Sequence, residues 1–250
     1  MDLQLAGRTA LVTGASSGIG RAIALALATE GARLTLVARR AGELEAVADE
    51  IAAAGGQRPR LVEVDLLRAE ATERIAAAAL DAHGPVDILV NNAGGSRPLP
   101  LGSEEQAWEE AMTLNFTRHR QLTERVVPGM IDAGRGRVLN ITGKSEPEGI
   151  NGAFCAKAAM HSWAKGLSRE VGPHGITVNS VPPGRISSEQ IRRNYSAEYR
   201  QWQEDTEIPV GRYGEPEEIA TLICYLASPL AAYITGAVIP VDGGLRRYQF

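Results

Sequence analysis

The chain has 250 residues, of which 44% are hydrophobic and 22% are charged, so it can form one sizeable globular domain with a large core. Its formal net charge of -4, with acids and bases interspersed, excludes the broad basic surface that nucleic-acid binding requires. Cys155 and Cys224 are the only cysteines, which excludes a disulfide framework. Because the four histidines are scattered and no residues have metal-ligand spacing, we expect no metal site.

The amino-terminal residues lack the basic segment and apolar segment of a secretion signal. The sequence also contains no apolar run of roughly 18 residues, the length that a membrane-spanning helix needs. We therefore expect a soluble, cytoplasmic protein that acts on a small molecule and has no nucleic-acid or membrane partner.

Short apolar runs rich in β-branched residues alternate along the chain with alanine-rich segments of helical period. In chain order the runs are TALVTG, RLTLVAR, RLVEVD, VDILVNNAG, GRVLNIT, ITVNSV and AVIPVDGG. Strands separated by helices require parallel crossovers, and these cover both faces of the sheet. The pattern predicts a single α/β domain over residues 1–250, with a doubly wound, parallel, seven-stranded sheet of Rossmann-like type.

The first turn of this fold, in LVTGASSGIG, places three glycines between the first strand and the first helix. Glycines at such a turn let backbone N–H groups approach a pyrophosphate, and the helix N-terminus favours its negative charge. The turn therefore predicts a dinucleotide site. Its residues are Gly14, Ser16, Ser17, Gly18, Ile19 and Gly20.

The end of the second strand indicates which dinucleotide binds. A free ribose 2′-hydroxyl calls for a carboxylate there, whereas a 2′-phosphate calls for a cation. Ala38 stands where the acid would be, and Arg39 and Arg40 follow it. Because guanidinium groups match phosphate geometry, the sequence favours NADP(H), with NAD(H) possible. The alternative is that both arginines form only a solvated helix entry.

The third strand ends at Asp65, which Leu66 follows. The carboxylate of Asp65 can accept a hydrogen bond from the adenine amino group of a dinucleotide, or it can cap the next helix. Both residues are predicted cofactor contacts.

The segment 185–214 follows the sixth predicted strand and is polar, with several aromatic residues. We interpret it as a helical flap on the substrate side, because ligands of open α/β sheets lie beyond the carboxyl ends of the strands. Its arginines Arg185, Arg192 and Arg193 could meet an anionic substrate group. The alternative is a surface helix pair without a role in binding.

Five motifs in this order give the chain a resemblance to a known family. They are TGASSGIG at 13–20, NNAG at 91–94, TLNFT at 113–117, PPG at 182–184 and ITGAVIPVDGG at 234–244. Over essentially its whole length the chain resembles the short-chain dehydrogenase/reductase family, in particular members of the 3-oxoacyl-ACP-reductase type and of the sugar or polyol type. The resemblance implies an NAD(P)-dependent oxidoreductase and a homo-oligomer, commonly a tetramer, with a dimer as the alternative.

The resemblance also implies roles for individual residues. Asn115 would hold a water molecule of a proton relay, and Lys157 would bind the nicotinamide ribose. The remaining implied cofactor contacts are Asn91, Ala93 and Gly94, which would line the cofactor, and Pro183, Gly184 and Ile186, which would flank the nicotinamide ring.

The chain departs from this family at the two hydroxyl groups of the catalytic pattern. The family pattern is a serine followed about a dozen residues later by Tyr-x-x-x-Lys, and the tyrosine donates the proton. Alignment on Lys157 places Ala153 in the tyrosine position, and alignment on the fifth strand places Gly143 in the serine position. Phe154 would fill the space of the tyrosine if the helix register slipped by one residue.

The sequence offers substitutes for the lost proton donor. We expect an atypical donor in the segment from Thr142 to Ser145, supported by Asn115 and by the ammonium group of Lys157. Lys144 and the phenol groups of Tyr195 and Tyr199 are further possibilities, each with a structural alternative. The catalytic candidates are therefore Asn115, Thr142, Ser145 and Lys157.

Three functions are compatible with these residues. The favoured one is an NADP(H)-dependent oxidoreductase that acts on a carbonyl or alcohol. The second is a cofactor-binding protein without redox turnover, acting as a sensor or as an inactive partner. The third is non-redox chemistry of the lyase type with Lys157 as the base. The serine nucleophile elbow Gly-x-Ser-x-Gly of a hydrolase is absent.

Overall fold

In the computed structural model, one parallel sheet organises the chain, and helices pack on both of its faces. The structure describes residues 1–96, 98–143, 149–188, 191–192 and 195–247. The predicted α/β, doubly wound, Rossmann-like architecture is confirmed.

The strands and helices alternate as the sequence predicts. The strands are β1 (Thr9–Thr13), β2 (Arg33–Ala38), β3 (Arg60–Glu63), β4 (Ile88–Asn91), β5 (Gly136–Ile141) and β6 (Ile176–Val181). The α-helices are α1 (Gly18–Thr29), α2 (Ala41–Ala53), α3 (Ala71–His83), α4 (Glu105–Met112), α5 (Arg118–Ala133), α6 (Gly152–Val171), α7 (Ala197–Thr206) and α8 (Pro216–Ala227). A π-helical turn (Thr113–Thr117) joins α4 to α5, and short 3₁₀ turns (Gly172–His174 and Pro229–Ala231) follow α6 and α8.

The strand order is β3-β2-β1-β4-β5-β6, and every pairing is parallel. β1 lies between β2 and β4, so the chain winds outward in opposite directions from β1. In such sheets the crevice at the carboxyl ends of the strands, where the winding reverses, is where ligands bind.

The prediction of seven strands is wrong for the described residues, in which the sheet has six. The segment expected as a seventh strand does lie beside β6. However, it pairs only through isolated parallel bridges, Ser180 with Val238 and Pro183 with Val241. The physical reason is the prolines at 182, 183 and 240, which have no N–H group to donate to a continuous ladder.

Two apolar layers cover the sheet. One contains Ile23 of α1, Leu44 of α2 and Ile223 of α8, and the other contains Ile75 of α3 and Leu122 of α5. Burial of each such side chain contributes about 1.5–3 kcal/mol to folding. Because helices cover both faces of the sheet, a ligand can reach it at the end where the carboxyl termini of the strands lie.

The described helices include none that combines the length and the apolar character needed to cross a membrane.

Candidate active site

The glycine turn between β1 and α1 has a backbone conformation that residues with a side chain rarely adopt. Gly14 and Gly18 have φ of 68° and 53°, in the left-handed region that favours glycine. A Cβ on Gly14 would lie 2.8 Å from Cα of Ala93, whereas a Cβ on Gly18 would project into open space. The turn is therefore packed on its inner side and open above, which fits a pyrophosphate.

The N-terminus of α1 points at this open space. Ser17 is the N-cap residue, and its side chain makes no capping hydrogen bond. The first N–H groups of a helix have no partner within the helix, so they are donors for an anion bound there. Gly20 packs so closely under the turn that a Cβ would collide with the carbonyl oxygen of Gly14.

The loop after β4 holds the glycine turn in place. The hydroxyl of Thr13 accepts from the N–H groups of Asn92 and Ala93, at 3.0 and 3.1 Å. The amide of Asn92 in turn donates to the carbonyl oxygens of Thr13 and Gly14, at 2.9 and 3.2 Å. Thr13 and Asn92 are fixed partners of the turn that the sequence analysis did not single out, although both lie inside its motifs.

Of the two arginines after β2, Arg40 lies across the glycine turn. Its guanidinium group donates to the hydroxyls of Ser16 and Ser17 at 3.3 and 3.0 Å, and it forms an ion pair with Glu43 at 2.5 Å. Arg39 is exposed on the same loop. A cation therefore stands beside the phosphate-binding turn at the end of β2.

Asp65 uses one carboxylate oxygen within its own loop, where it accepts from the N–H group of Leu67 at 3.0 Å. Leu66 is buried, and its carbonyl oxygen accepts from Arg118 at 2.9 Å. The next helix, α3, begins only at Ala71, so Asp65 does not cap it.

Asn91 ends β4 with its side chain directed into the core. Its amide donates to Thr123 and to Asn140, at 3.1 and 2.9 Å. The next residues turn toward the crevice, and the carbonyl oxygen of Ala93 is hydrogen-bonded to Nε2 of His119 at 2.6 Å. Burial lowers the pKa of His119 to about 4, so this imidazole is neutral and donates through Nε2.

Asn115 lies in the π-helical turn, where the widened backbone brings its amide to the loop after β4. Its oxygen accepts from the N–H group of Gly95 at 3.1 Å, and its nitrogen donates to the carbonyl oxygen of Ala111 at 3.0 Å. The Asn115 side chain also packs closely on Gly94, where an added Cβ would lie 2.8 Å from Oδ1 of Asn115. π-Helical turns within α-helices occur frequently at functional sites.

Lys157 and Thr142 meet between α6 and the end of β5. Nζ of Lys157 donates to the carbonyl oxygen of Thr142 at 3.0 Å. Burial lowers the pKa of Lys157 to about 8, because removal from water penalises the charged form. The hydroxyl of Thr142 is hydrogen-bonded to Nε2 of His161 at 2.7 Å. Ser145, the other predicted hydroxyl, and Lys144 lie outside the described residues.

No hydroxyl stands at positions 143 or 153. Ala153 is buried, with 2% of its surface exposed. A Cβ on Gly143 would lie 3.1 Å from Cδ of Lys157 and 3.6 Å from Cδ1 of Phe154. The ring of Phe154 and the stem of Lys157 therefore converge on the glycine that stands in the serine position.

Pro183, Gly184 and Ile186 lie at the other side of the crevice, in the chain that leaves β6. Gly184 donates to the carbonyl oxygen of Val241 at 2.9 Å, and a Cβ on Gly184 would lie 2.5 Å from Cα of Asp242. Ile186 is buried and pairs with Gly214. The carboxyl-terminal segment thus fixes this wall of the crevice.

The predicted flap contains α7, which is fastened at its base. The Arg185 and Glu207 side chains form an ion pair at 2.6 Å and are only 15% and 20% exposed. Gln203, on the same side of α7, is fully buried and hydrogen-bonded to the hydroxyl of Tyr213. On the outer face, Tyr195, Tyr199 and Trp202 stack in sequence with ring centroids 5.4 and 5.6 Å apart. Arg193 lies outside the described residues.

These features fit a phosphate-bearing dinucleotide: an open glycine turn, free helix N–H groups and an arginine beside them. No group of three or more metal-ligating side chains occurs among the described residues. The fold and the site together define a dinucleotide-binding α/β protein.

Comparisons with known proteins agree with this class. A family model described as enoyl-(acyl carrier protein) reductase matches residues 14–246. A 3-oxoacyl-[acyl-carrier-protein] reductase FabG of Aquifex aeolicus is 36% identical, covering 98% of this chain and all of the relative. Galactitol 2-dehydrogenase (L-tagatose-forming) of Cereibacter sphaeroides is also 36% identical, covering 96% of each chain. The chain belongs to the short-chain dehydrogenase/reductase family of NAD(P)-dependent oxidoreductases.

Solved structures give the same result. L-sorbose reductase from Gluconobacter frateurii, complexed with NADPH and L-sorbose, superposes with a TM-score of 0.94 at 30% identity, covering 99% of this chain and 100% of that one. A 7α-hydroxysteroid dehydrogenase complexed with NADH and 7-oxo glycochenodeoxycholic acid superposes with a TM-score of 0.92 at 32% identity, covering 97% and 96%. Together with Arg40, the NADPH-bound relative supports the predicted preference for NADP(H).

Proposed function

We propose that the protein is an NADP(H)-dependent oxidoreductase that interconverts a carbonyl and an alcohol, with Lys157 as the proton donor in place of the missing tyrosine. The observation that carries this proposal is the state of the Lys157 ammonium group. Its stem lies beside Gly143, its Nζ donates to the Thr142 carbonyl oxygen at 3.0 Å, and burial lowers its pKa to about 8. An acid with a pKa near the working pH is suited to proton transfer.

The cofactor supplies a hydride when it is bound. In this proposal the glycine turn holds the pyrophosphate, Arg40 and Arg39 meet the 2′-phosphate, and Asp65 with Leu66 borders the adenine. The remaining proposed contacts are Asn91, Ala93, Gly94, Lys157, Pro183, Gly184 and Ile186.

The protein residues then have to stabilise and protonate the oxygen on which negative charge develops. A positioned general acid accelerates such a step by about 10²–10⁴. The Lys157 ammonium can do both, because it carries a positive charge and a transferable proton. Hydrogen bonds to Gly95 and Ala111 fix the Asn115 side chain. In this proposal Asn115 thereby orients the loop that borders the cofactor.

The contacts of Thr142 favour Lys157 over a hydroxyl donor. Thr142 is 1% exposed, and its hydroxyl is engaged with His161. An aliphatic hydroxyl is also a weak acid on its own. In this proposal Thr142 acts through its carbonyl oxygen, which holds the ammonium group. Ser145 stays a prediction, since it lies outside the described residues.

The test is turnover measured by the absorbance of the reduced nicotinamide, with a panel of carbonyl and alcohol substrates. We expect reduction with NADPH, and we expect kcat for reduction to fall as the pH rises through about 8, where Lys157 loses its proton. Lys157→Met should lower kcat by about 10²-fold or more. Lys165→Met is the matched control, because Lys165 lies two turns along the same helix on the surface. A Lys157→Met variant with unchanged kcat would exclude Lys157 as the donor.

A second function is favoured by the same two positions, since neither Gly143 nor Ala153 carries a hydroxyl. In this alternative the chain binds NADP(H) without redox turnover, as a sensor or as an inactive partner. Calorimetry distinguishes the two: tight NADPH binding with no turnover on any substrate favours the alternative. Product analysis without a change in cofactor oxidation state would instead indicate chemistry of the lyase type.

The remaining assignments concern organisation. We propose a single domain over residues 1–250, with 185–214 as the flap over a small-molecule substrate, and a cytoplasmic homo-oligomer, a tetramer or a dimer. Exposed apolar side chains near the carboxyl terminus, at Leu230, Tyr233 and Val238, support self-association there. Light scattering of the purified chain tests it, and a monomer at micromolar concentration would contradict it.

A further inference from the structure

Thr142 joins two basic side chains of one helix. Its carbonyl oxygen accepts from Nζ of Lys157 at 3.0 Å, and its hydroxyl is hydrogen-bonded to Nε2 of His161 at 2.7 Å. Lys157 and His161 are four residues apart on α6, so they share one face of the helix. Both nitrogen atoms are therefore anchored on a single buried residue.

Thr142 has little freedom to move. Its own N–H group donates to the carbonyl oxygen of Val181 at 3.0 Å, which fixes its backbone at the end of the sheet. The hydrogen bond to His161 fixes its side chain as well. Without the imidazole, a buried hydroxyl would lose its partner and water could enter beside the Lys157 ammonium.

Among the described residues, Arg246 and Lys157 are the charged groups that act on His161. Burial lowers the pKa of His161, and the positive charges of Arg246 and Lys157 lower it further. On the other side Lys157 faces His119 of α5, whose pKa burial lowers to about 4. Near neutral pH both imidazoles are therefore uncharged, and the Lys157 ammonium acts on both of them. Protonation of His161 in acid would place a second positive charge next to Lys157.

We propose that His161 is a positioning residue for the proton donor: by engaging the Thr142 hydroxyl it keeps water away from the Lys157 ammonium, and it couples its own protonation to that of Lys157. The proposal rests on the proposed function only in naming Lys157 as the donor. The coupling itself belongs to the protein without cofactor or substrate, so it can be tested separately from turnover.

The experiment uses the small number of lysines, which are Lys144, Lys157 and Lys165. Lysine labelled with ¹³C at Cε gives three resonances, and Lys144→Arg and Lys165→Arg assign them. In the wild-type protein we expect the Lys157 resonance to titrate with a midpoint near 8 and to show a second, small inflection below 6.5, where His161 takes up its proton. The exposed Lys165 serves as the internal control without the acid inflection.

Two substitutions of His161 separate its contributions. His161→Gln keeps a hydrogen-bonding partner for Thr142 but does not titrate, so the acid inflection should vanish while the main midpoint stays within about 0.3 pH units. His161→Leu removes the partner, so the Lys157 midpoint should rise by about one pH unit or more as water enters. His174→Gln is the matched control, because His174 lies in the exposed turn after α6 and its replacement should leave both features unchanged.

Activity provides the second readout. We expect kcat of His161→Leu to fall about 10-fold with KM nearly unchanged, and His161→Gln to keep most of the wild-type kcat near pH 8. Persistence of the acid inflection in His161→Gln would overturn the proposed coupling between His161 and Lys157. If His161→Leu does not fold, the proposal is tested by His161→Gln alone. An unmoved Lys157 midpoint in folded His161→Leu would overturn the positioning role. Absence of turnover with the inflection present would instead count against the proposed function.

Discussion

The ring edge of Phe154 lies against Gly143, at the point where the stem of Lys157 also arrives. A side chain on residue 143 would therefore meet Lys157 first, at 3.1 Å from its Cδ, and Phe154 next. Gly143, which stands where the family pattern has a serine, is thus enclosed by the stem of Lys157 and the ring of Phe154.

We predict that Gly143→Ser does not create a family-like catalytic serine. The new Cβ would lie 3.1 Å from Cδ of Lys157, so the lysine stem has to shift and its hydrogen bond to the Thr142 carbonyl is weakened. We expect kcat to fall several-fold while NADPH binding is kept, because misplacement of a reacting group by about 1 Å costs up to 10²-fold. Gly149→Ser, where a Cβ meets open space, is the control. An increase of kcat in Gly143→Ser would show that the lysine tolerates the hydroxyl and that only the serine was missing.

Arg40 is predicted to determine cofactor preference. Loss of charge-assisted bonds to a phosphate costs about 1.5–3 kcal/mol, so Arg40→Ala should weaken NADPH binding about 10–100-fold and leave NADH binding nearly unchanged. Fluorescence titration with both dinucleotides measures this difference. Arg39→Ala is the matched variant, and we expect a smaller effect because Arg39 does not contact Ser16 or Ser17. If Arg40→Ala weakened the binding of NADPH and NADH equally, Arg40 would support the glycine turn and would not recognise the 2′-phosphate.

Lys157 also predicts how stability depends on pH. Its pKa is about 8 in the folded protein and 10.5 in a solvated chain, so between these values the unfolded state binds more protons. The contribution of this group to the free energy of unfolding therefore rises with pH across that window, by no more than about 3 kcal/mol. Denaturant unfolding of the wild type and of Lys157→Met at several pH values measures it. The stability difference between the two should change in favour of the wild type above about pH 8; a constant difference would mean that the ammonium is solvated.

The ion pair at the base of the flap predicts an effect on substrate binding. Glu207→Gln removes the carboxylate that pairs with the guanidinium of Arg185 in a site that is largely removed from water, so α7 should be held less tightly. We expect KM for the substrate to rise several-fold with little change in cofactor affinity. Gln201→Ala, which removes an exposed side chain of the same helix, is the control. A change in cofactor affinity alone would show that the ion pair supports the cofactor wall and not the flap.

Alternation of apolar strands with alanine-rich helices was sufficient to predict the architecture, because burial on both faces of a sheet leaves a plain signature in the sequence. The number of strands was wrong, since an apolar run shows hydrophobicity but not whether prolines at 182, 183 and 240 will interrupt its hydrogen bonds. The glycine turn could be predicted from local spacing alone.

The hydrogen bond between Thr142 and His161 could not be predicted in this way. It joins residues 19 positions apart on different elements, and its existence depends on how α6 packs against β5. Which of Arg39 and Arg40 lies across the glycine turn likewise could not be predicted. It depends on the direction of each side chain, which neither charge nor position along the loop specifies.

The prolines beside β6 have one more consequence, which concerns association between molecules. An outermost strand with a regular row of unpaired amides can recruit a strand from a neighbouring chain and start a growing stack. Here the segment around Val238 and Val241 lies along that margin, pairs with β6 only through isolated bridges and contains Pro240, which has no amide hydrogen to donate. The irregular pairing and the proline make this margin a poor template for the addition of a further strand.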